Sequence, residues 1–281
     1  MRKALVLGGG GITGIAWEIG MLSWLQEAGL DLTGADLVVG TSAGSVVGAQ
    51  ATSGMPLAKL YERQLAPPDG EVSAHLSRAG LLGFVSAYLI ERDPDRARAR
   101  IGRAAHRSAL RRPNASVAER RAVIAGRLVS HDWPDADLRV AAVDVRTGRR
   151  KVFDRDSGVP IVDAVAASCA VPGVWPPVPA GGSVYMDGGV YSTANIDVAA
   201  GYDRVVVLAP IAHGIGPLPG PAAQLSDLPG DPKTVLVTPD KEAVAAFGGN
   251  VLDPRFRAPA ARAGRTQAPD VLRVVGEVWG G

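Results

Sequence analysis

The chain has 281 residues, of which 47% are hydrophobic and 21% are charged. These values are typical of a folded protein with one sizeable core and argue against an intrinsically disordered chain. The net charge of +2 at pH 7 excludes a protein whose whole surface binds nucleic acid. The single cysteine, Cys169, excludes an internal disulfide framework, and the apolar residues around it favour a buried structural thiol. We therefore expect one cytoplasmic domain over residues 1–281.

The first third of the chain alternates between apolar, strand-like runs and helical patterns. Lys3–Leu7 predicts a buried strand, and Gly14–Ala28 predicts a helix with apolar residues at helical spacing. Leu37–Val39 predicts a second strand, and a helix of small residues is expected from Ser45 to Thr52. An alternation of strands and helices predicts an α/β fold.

The rest of the chain predicts more helices and then more strands. Helical patterns cover residues 56–65 and 93–129, and Ser116 followed by Glu119 predicts a capping box. The region from about 91 to 130 is therefore expected to be a helical insertion. Strands are predicted at residues 138–145, 151–153, 184–186, 204–209 and 234–238. The stretch 212–232 is rich in proline and glycine, which predicts a loop.

The segment Gly40-Thr-Ser-Ala-Gly44 lies between a predicted strand and a predicted helix. A nucleophilic serine needs such a sharp turn, because the flanking glycines let backbone and substrate approach closely. The N–H after the serine and the helix N-terminus can then stabilise negative charge. An ordinary polar turn between strand and helix is the alternative explanation of the same residues.

The glycine-rich segment Gly8–Gly14 also follows a strand and opens a helix. Its pattern G-x-G-x-x-G allows a dinucleotide site, with Asp31 near the distance expected of a ribose contact. However, the acidic residue of such a site should end the second strand, and that strand ends in the serine turn instead. Consecutive glycine N–H groups can also converge on one oxyanion, and we favour this interpretation.

The segment Asp187-Gly-Gly189 follows a predicted strand. A carboxylate at the end of a strand can be brought against a serine from another strand. By itself the pattern is weak evidence, because Asp-Gly is above all a turn sequence.

Together these three motifs resemble the patatin-like phospholipase family. That family has a glycine-rich loop near the N-terminus, then a G-x-S-x-G turn, and then a distant D-G-G or D-G-A. A fourth block, Ala167-Ser-Cys-Ala-Val-Pro-Gly-Val-Trp-Pro-Pro-Val178, resembles the family's segment just before the aspartate. The resemblance covers about residues 1–210.

The resemblance implies a three-layer α/β/α fold with a mostly parallel central sheet. It implies an enzyme that hydrolyses carboxylic ester bonds of acyl lipids with no cofactor and no metal. Ser42 would be the nucleophile and Asp187 the general base, with the backbone of Gly9, Gly10 and Gly11 as the oxyanion hole. The other glycines of the motifs would support the site: Gly14, Gly40, Gly44, Gly188 and Gly189. One position departs from the family, since Thr13 stands where Arg or Lys is usual, and this bears on phospholipid binding more than on hydrolysis.

Other functions fit parts of the same sequence. A nucleotide-binding module would use Gly9–Gly14. A catalytically idle lipid-binding protein would have the same fold but no hydrolytic activity. Transfer of the acyl group to an alcohol would use the same serine. A conventional triad is a further possibility, because Ser42, Asp187 or Asp203, and His213 follow the chain order of α/β hydrolases.

Arginines are concentrated in the predicted helical insertion. Eleven of them lie between Arg92 and Arg127, with few aromatic residues among them. This pattern favours a solvated helical face, and a peripheral contact with an anionic membrane is the alternative. Nucleic-acid binding is not indicated, because no stacking aromatic residues alternate with the arginines. The sequence leaves the oligomeric state open.

Overall fold

The structure is a computed structural model that describes residues 1–68, 74–75, 86–110 and 116–280. Its central feature is an eight-stranded sheet. The strands are β1 (Lys3–Leu7), β2 (Leu37–Thr41), β3 (Leu138–Asp144), β4 (Arg150–Phe153), β5 (Val178–Ala180), β6 (Ser183–Asp187), β7 (Arg204–Leu208) and β8 (Lys233–Val237). Hydrogen-bonded neighbours follow the order β5-β6-β3-β2-β1-β7-β8, and β4 also pairs with β3.

Five neighbouring strands of this sheet, β3, β2, β1, β7 and β8, are parallel. Strands β4, β5 and β6 pair in antiparallel fashion. Strands β1, β2 and β7 of this group are almost entirely buried, as expected of strands that are covered on both faces. In β1, for example, Leu5 and Leu7 belong to one buried cluster, and Ala4 and Val6 belong to another. The predicted mostly parallel sheet is confirmed.

Helices cover both faces of the sheet. They are α1 (Gly11–Glu27), α2 (Ala43–Ala51), α3 (Leu57–Leu65), α4 (Pro94–Leu110), α5 (Val117–Arg127), α6 (Ile161–Ser168), α7 (Pro221–Ser226), α8 (Lys241–Phe247) and α9 (Arg257–Trp279). Helices α1, α2, α6 and α9 contribute to the large cluster on one face. The opposite face is covered by the 3-10 helix Ile196–Ala199, by Leu225 of α7 and, towards β3 and β6, by Ile101 of α4. This arrangement confirms the predicted three-layer α/β/α fold.

Several elements differ from their predicted form. The predicted helical region 93–129 is two helices, α4 and α5, and residues 111–115 between them lie outside the described residues. The capping box of α5 is confirmed, because the Glu119 N–H donates to Ser116 Oγ at 2.9 Å and the Ser116 N–H donates to Glu119 Oε2 at 3.3 Å. The stretch 212–232 is not all loop, since it contains α7.

The sequence pattern also missed the longest helix, α9, which packs along α1. The two helices approach so closely that a Cβ atom at Gly20 would lie 2.1 Å from the Ala261 carbonyl oxygen. A Cβ at Gly264 would lie 2.2 Å from the Trp17 carbonyl oxygen. Glycine on both helices therefore permits this contact, which holds the C-terminal part of the chain against the layer that carries the glycine-rich loop. No helix within the described ranges is long and apolar enough to cross a membrane.

Candidate active site

Ser42 stands on a strained turn between β2 and α2. Its backbone angles are φ 50° and ψ −113°, in a region that residues other than glycine rarely adopt. Both flanking glycines are needed for the turn: a Cβ at Gly44 would lie 2.0 Å from the Leu7 carbonyl oxygen, and one at Gly40 would lie 2.5 Å from Ser45 Cα. The glycines thus let α2 start directly against β1, and this is the kind of sharp turn that the sequence predicted.

Hydrogen bonds fix the backbone of Ser42 from two sides. Its N–H donates to Ser168 Oγ at 2.9 Å, and Ser168 Oγ donates to the Ala141 carbonyl at 2.6 Å. The Ser42 carbonyl accepts from Ser45 Oγ at 2.6 Å and from Cys169 Sγ at 3.2 Å. Cys169 is buried, and burial raises the pKa of its thiol, so it acts as the structural group that the sequence predicted. These bonds support the strained backbone at Ser42.

The register of β3 explains how Ser42 meets Asp187. Residues Ala141, Ala142 and Val143 pair with β4 along one side of β3. On the other side, Ala141 pairs with Thr41 of β2, and Ala142 pairs with Asp187 of β6. Strand β2 is parallel to β3 and β6 is antiparallel to it, so the carboxyl ends of β2 and β6 point at each other. Ser42, which follows Thr41, and Asp187, the last residue of β6, are thereby brought together.

The Asp187 carboxylate is held by the turn that follows it. Its Oδ1 accepts the N–H of Gly189 at 2.7 Å. Gly188 lies so close to β3 that a Cβ there would be 2.3 Å from the Ala141 carbonyl oxygen. The two glycines therefore let the chain turn away tightly at the end of β6 and leave the second carboxylate oxygen, Oδ2, for another partner.

The surroundings of Asp187 make its carboxylate a stronger base than usual. Burial raises the pKa of Asp187 to about 6, and the Ser42 hydroxyl, the Gly189 N–H and the charge of Arg120 lower it to a smaller extent. The Ser42 hydroxyl is thus close enough to favour the ionised form. Even so, no described residue completes a hydrogen bond of normal geometry with Oδ2. Such contacts often tighten only when a substrate binds.

The glycine-rich loop brings backbone N–H groups to Ser42, but not all three that the sequence predicted. The Gly9 N–H already donates to the Thr193 carbonyl at 2.8 Å, which corrects the prediction that it is available for an oxyanion. The N–H groups of Gly10 and Gly11, and that of Ala43 after the serine, donate no hydrogen bond to any described residue. These three groups are therefore backbone donors, in the glycine-rich loop and the serine turn, without an acceptor among the described residues.

Asn195 connects the two strand ends and was not predicted from the sequence. This residue is fully buried, and its Nδ2 donates to Thr41 Oγ1 at 3.0 Å and to the Gly188 carbonyl at 3.4 Å. It thereby ties the end of β2 to the turn after Asp187. No motif marks Asn195, because its role depends on contacts with residues 154 and 7 positions away along the chain.

A family model described as patatin-like phospholipase matches residues 5–200 of the chain. The chain belongs to the patatin-like phospholipase family. Members of this family are hydrolases that act on the ester bonds of acyl lipids. The family and the enzyme class predicted from the sequence are therefore confirmed.

Solved structures share the fold of this patatin-like chain at low sequence identity. VipD from Legionella pneumophila is 15% identical with a TM-score of 0.50, and the match covers 97% of this chain and 67% of VipD. The type III effector protein ExoU is 18% identical with a TM-score of 0.38, over 96% of this chain and 53% of ExoU. ExoU in complex with SpcU from Pseudomonas aeruginosa is 16% identical with a TM-score of 0.35, over 95% and 53%. The chain thus spans about two thirds of VipD and about half of ExoU, and the likeness to VipD supports the fold alone. No curated protein matches the chain.

The positively charged side chains that line the cleft in front of Ser42 belong to the helical insertion. Thr13, at the position where the family usually has Arg or Lys, is buried, and its N–H donates to the Val251 carbonyl at 3.2 Å. Arg120 and Arg127 of α5 line the cleft instead. Arg120 is only 5% exposed, and its guanidinium carbon lies 4.2 Å from the centre of the Trp175 ring. In this structure the cleft is narrow, with a volume of about 20 Å³.

The arginine-rich region is therefore not a uniformly solvated face. Arg98 is buried as well, since its Nε donates to the Gly148 carbonyl at 2.8 Å and its guanidinium packs over the Tyr191 ring. Sequence spacing could not separate these arginines from the exposed ones, because only the packing of α4 and α5 decides which side chains face inward. Arg111 and Arg112 lie outside the described residues.

The structure disagrees with the dinucleotide interpretation. Asp31 lies before β2, and its Oδ1 accepts from the Thr33 N–H at 2.8 Å and from Thr33 Oγ1 at 2.7 Å. The glycine-rich loop follows the carboxyl end of β1, which is parallel to β2. Asp31 is therefore at the opposite edge of the sheet from the glycines, where it cannot contact a ribose bound to them.

Two residues of the alternative histidine triad, Asp203 and His213, are also poorly positioned to act with Ser42. Asp203 precedes β7 and accepts the Arg2 N–H at 2.6 Å, which puts it at the edge of the sheet opposite Ser42. His213 follows the carboxyl end of β7, but its side chain is exposed on a surface loop. Among the described residues, no group of three or more His, Cys, Asp or Glu side chains could hold a metal ion.

Proposed function

We propose that this patatin-like chain hydrolyses acyl esters through an acyl-enzyme on Ser42, with Asp187 as the general base. The observation that carries the proposal is that the carboxyl ends of β2 and β6 face each other along one side of β3. It accounts for a strained serine and a buried carboxylate from distant parts of the chain lying within reach of each other. Each then has the environment that its proposed role requires.

In the first step, Ser42 Oγ attacks the ester carbonyl carbon while its proton passes to Asp187. We assign the proton to Oδ2, since Oδ1 is held by the Gly189 N–H. The proton then moves to the alcohol oxygen as the bond between carbon and that oxygen breaks. In the second step, water gives a proton to Asp187 and attacks the acyl carbon. The bond between that carbon and Ser42 Oγ then breaks, Ser42 Oγ takes the proton back from Asp187, and the fatty acid is released.

Negative charge develops on the carbonyl oxygen in both steps. We assign its stabilisation to the N–H groups of Gly10, Gly11 and Ala43, which lack acceptors among the described residues. Gly9 then serves as a support that anchors the loop to Thr193. Two apolar side chains that line the cleft alone, Val171 and Leu252, suit the acyl side of the substrate.

A fluorophosphonate probe tests this assignment, because the phosphonate imitates the tetrahedral intermediate. We expect labelling at Ser42 alone, and Ser42→Ala should abolish both labelling and hydrolysis of p-nitrophenyl butyrate. Circular dichroism should show that the fold of this variant is intact. EDTA should leave the activity unchanged.

Labelling that survives Ser42→Ala would refute the assignment of Ser42 as the nucleophile. A folded wild type that forms no acyl-enzyme would favour an idle lipid-binding protein. Acyl esters formed from an added alcohol would indicate acyl transfer.

We also propose that α4 docks the enzyme on anionic membranes. Four exposed arginines, Arg96, Arg100, Arg103 and Arg107, follow each other at spacings of four, three and four residues, so they lie on one face of α4. Large apolar residues are exposed near both ends of this helix: Leu89 and Ile90 before it and Leu110 at its last position. Basic and apolar groups together are typical of a surface that binds at a membrane interface.

A further inference from the structure

A larger cavity lies directly beside the cleft of Ser42. Its volume is about 480 Å³, within the usual range for small-molecule sites. The two spaces share Ile12, Ile15 and Arg127 in their walls. Because the cleft itself has a volume of only about 20 Å³, a molecule with its ester at Ser42 needs additional room. The larger cavity adjoins this shared wall and offers such room.

Three arginines from three different helices line this cavity: Arg63 of α3, Arg127 of α5 and Arg257 of α9. We call it the arginine chamber. No acidic side chain is among the described residues that line it. Two of the guanidinium groups are held in place, because Arg63 Nη2 donates to the Gly126 carbonyl at 3.3 Å and Arg257 Nη2 donates to the Ala66 carbonyl at 2.7 Å. The described lining of the chamber is therefore preorganised and positively charged.

The position of Arg257 supports a role in binding. It is the first residue of α9, a helix of 23 residues that directly continues the 3-10 helix Pro254–Phe256, whose N-cap residue Asp253 accepts the Arg255 N–H. The helix dipole favours anions at this end and disfavours a cation, so Arg257 does not stabilise α9. An anion in the chamber would offset this unfavourable placement of the Arg257 charge.

Resting on the proposed function, we propose that the arginine chamber binds the phosphomonoester head group of an acyl lipid whose ester is held at Ser42. Guanidinium groups match the several oxygens of a doubly charged phosphate and bind it with charge-assisted hydrogen bonds. A zwitterionic head group would bring a cation beside the arginines, where no described lining residue offers it a carboxylate. The chamber thus predicts a preference for phosphomonoester lipids over phosphocholine lipids and neutral glycerides.

Head-group preference can be measured with three substrates that share one acyl chain. These are 1-acylglycerol 3-phosphate, 1-acylglycerophosphocholine and monoacylglycerol, each used below its critical micelle concentration so that no membrane takes part. We expect kcat/KM for the phosphomonoester to exceed that of each of the others by about tenfold or more, which corresponds to about 1.4 kcal/mol. Equal values for the three substrates would overturn the proposal.

Variants of the chamber test which residues are responsible. Arg63→Gln and Arg257→Gln should each lower the ratio of kcat/KM for phosphomonoester over monoacylglycerol by about tenfold, mainly through KM for the phosphomonoester. The control Arg262→Gln removes an exposed arginine from the same helix, α9, and should leave the ratio unchanged. A uniform loss on all substrates in the chamber variants, or an equal effect of Arg262→Gln, would refute the assignment.

Binding measurements separate this proposal from the proposed hydrolysis. Calorimetric titration of the Ser42→Ala protein should show the phosphomonoester lipid binding at least tenfold more tightly than monoacylglycerol, and Arg257→Gln in that background should remove the difference. If the wild type hydrolyses no ester but this binding pattern holds, the hydrolase proposal fails and the chamber stands. If inorganic phosphate binds as tightly as the lipid, the chamber is a site for the free anion and the lipid assignment fails.

Discussion

The burial of Asp187 and its proposed role place opposite demands on the ionisation of its carboxyl group. Its side chain is almost fully buried, whereas the general base that we propose must be ionised to accept a proton. Burial disfavours the ionised form and raises the pKa to about 6, while the Ser42 hydroxyl, the Gly189 N–H and Arg120 limit this increase. A general base works best when its pKa is near the working pH. The same residue on the surface, with a pKa of about 3.9, would be a weaker base.

The role of Asp187 predicts the effect of removing its charge. Asp187→Asn should reduce kcat on p-nitrophenyl butyrate on the order of 10³-fold or more, because amide nitrogen and oxygen cannot accept the serine proton. Stability should not fall at pH 7 to 8. A raised folded-state pKa favours the folded protein below the unfolded value, and this contribution is lost as pH rises through about 6. Asparagine cannot ionise, so urea unfolding at pH 7.5 should show no loss of stability.

His213 provides the control for this prediction. It is exposed on a surface loop, so His213→Ala should stay within about tenfold of the wild type. If the two substitutions were equally damaging, the enzyme would use a histidine triad and the dyad assignment would be wrong.

Arg120 should influence catalysis through the charge that it places near Asp187. Its charge lowers the pKa of the carboxyl, so its removal should raise that pKa further. In Arg120→Gln, the acidic limb of the profile of kcat/KM against pH should therefore move to higher pH than in the wild type. Activity should be lost mainly near pH 6 and be largely regained near pH 8. The control Arg120→Lys keeps the charge and should restore the limb, whereas an unshifted limb in Arg120→Gln would show that the charge does not act on Asp187.

At the scale of elements, β3 is the part of the fold on which the site is built. One of its sides accepts β4, and the other is divided between β2 and β6. Asn195 and Ser168 then bind to atoms close to this junction, Thr41 Oγ1 and the Ala141 carbonyl. Consecutive residues of one strand therefore set the relative position of two groups that are 145 positions apart in the sequence, from Ser42 to Asp187.

The close contact of α2 with β1 predicts that Gly44 cannot be replaced. A Cβ at this position would lie 2.0 Å from the Leu7 carbonyl oxygen, so Gly44→Ala must displace the start of α2 and with it Ser42. We expect a loss of stability of about 1–3 kcal/mol in urea unfolding and a loss of fluorophosphonate labelling. The matched control Gly276→Ala, in α9 with open space around it, should stabilise by about 0.5–1 kcal/mol and keep labelling. Normal labelling of Gly44→Ala would show that the turn tolerates the shift.

At the scale of the whole molecule, the proposed membrane surface and the proposed active site involve different parts of the insertion. The arginines of the proposed membrane surface are exposed on α4, whereas Arg120 of α5 lines the cleft. Docking and hydrolysis should therefore respond separately to salt and to substitution.

We expect binding to phosphatidylglycerol vesicles to weaken steeply as salt is raised, because charges are screened over about 8 Å at physiological ionic strength. Replacing Arg96, Arg100, Arg103 and Arg107 with glutamine should reduce vesicle binding strongly, since each arginine near such a surface contributes about 1 kcal/mol. Hydrolysis of p-nitrophenyl butyrate should not change. The control replaces four exposed arginines elsewhere, Arg146, Arg155, Arg262 and Arg273, and removes the same charge. If both variants lost vesicle binding equally, or if the wild type did not bind vesicles, the arginines of α4 would be an ordinary solvated face and the docking proposal would be wrong.

The single-domain organisation remains a prediction at this scale. It is supported by the shared sheet, which includes strands from residue 3 to residue 237, and by the packing of α9 along α1. Limited proteolysis that released a stable fragment would contradict it.

The sequence by itself determined the local features of this protein. Apolar runs predict strands such as Lys3–Leu7, and the glycines around Ser42 predict the sharp turn, because these properties depend on neighbouring residues. The order of the three motifs was sufficient to predict the family and the enzyme class. The capping box at Ser116 was predictable for the same reason, since both of its partners lie within one turn of helix.

Only the tertiary structure decided which groups are available for chemistry. The Gly9 N–H is engaged by Thr193, and Asn195 joins two strand ends, through contacts between residues far apart in sequence. Arg120 resembles its neighbouring arginines in sequence, yet packing against Trp175 buries it in the cleft. A sequence pattern reports the spacing of residues along the chain. Hydrogen-bond partners, burial and the pKa of a carboxylate depend instead on which distant segments pack around a group, and that is decided by the sheet and its helices.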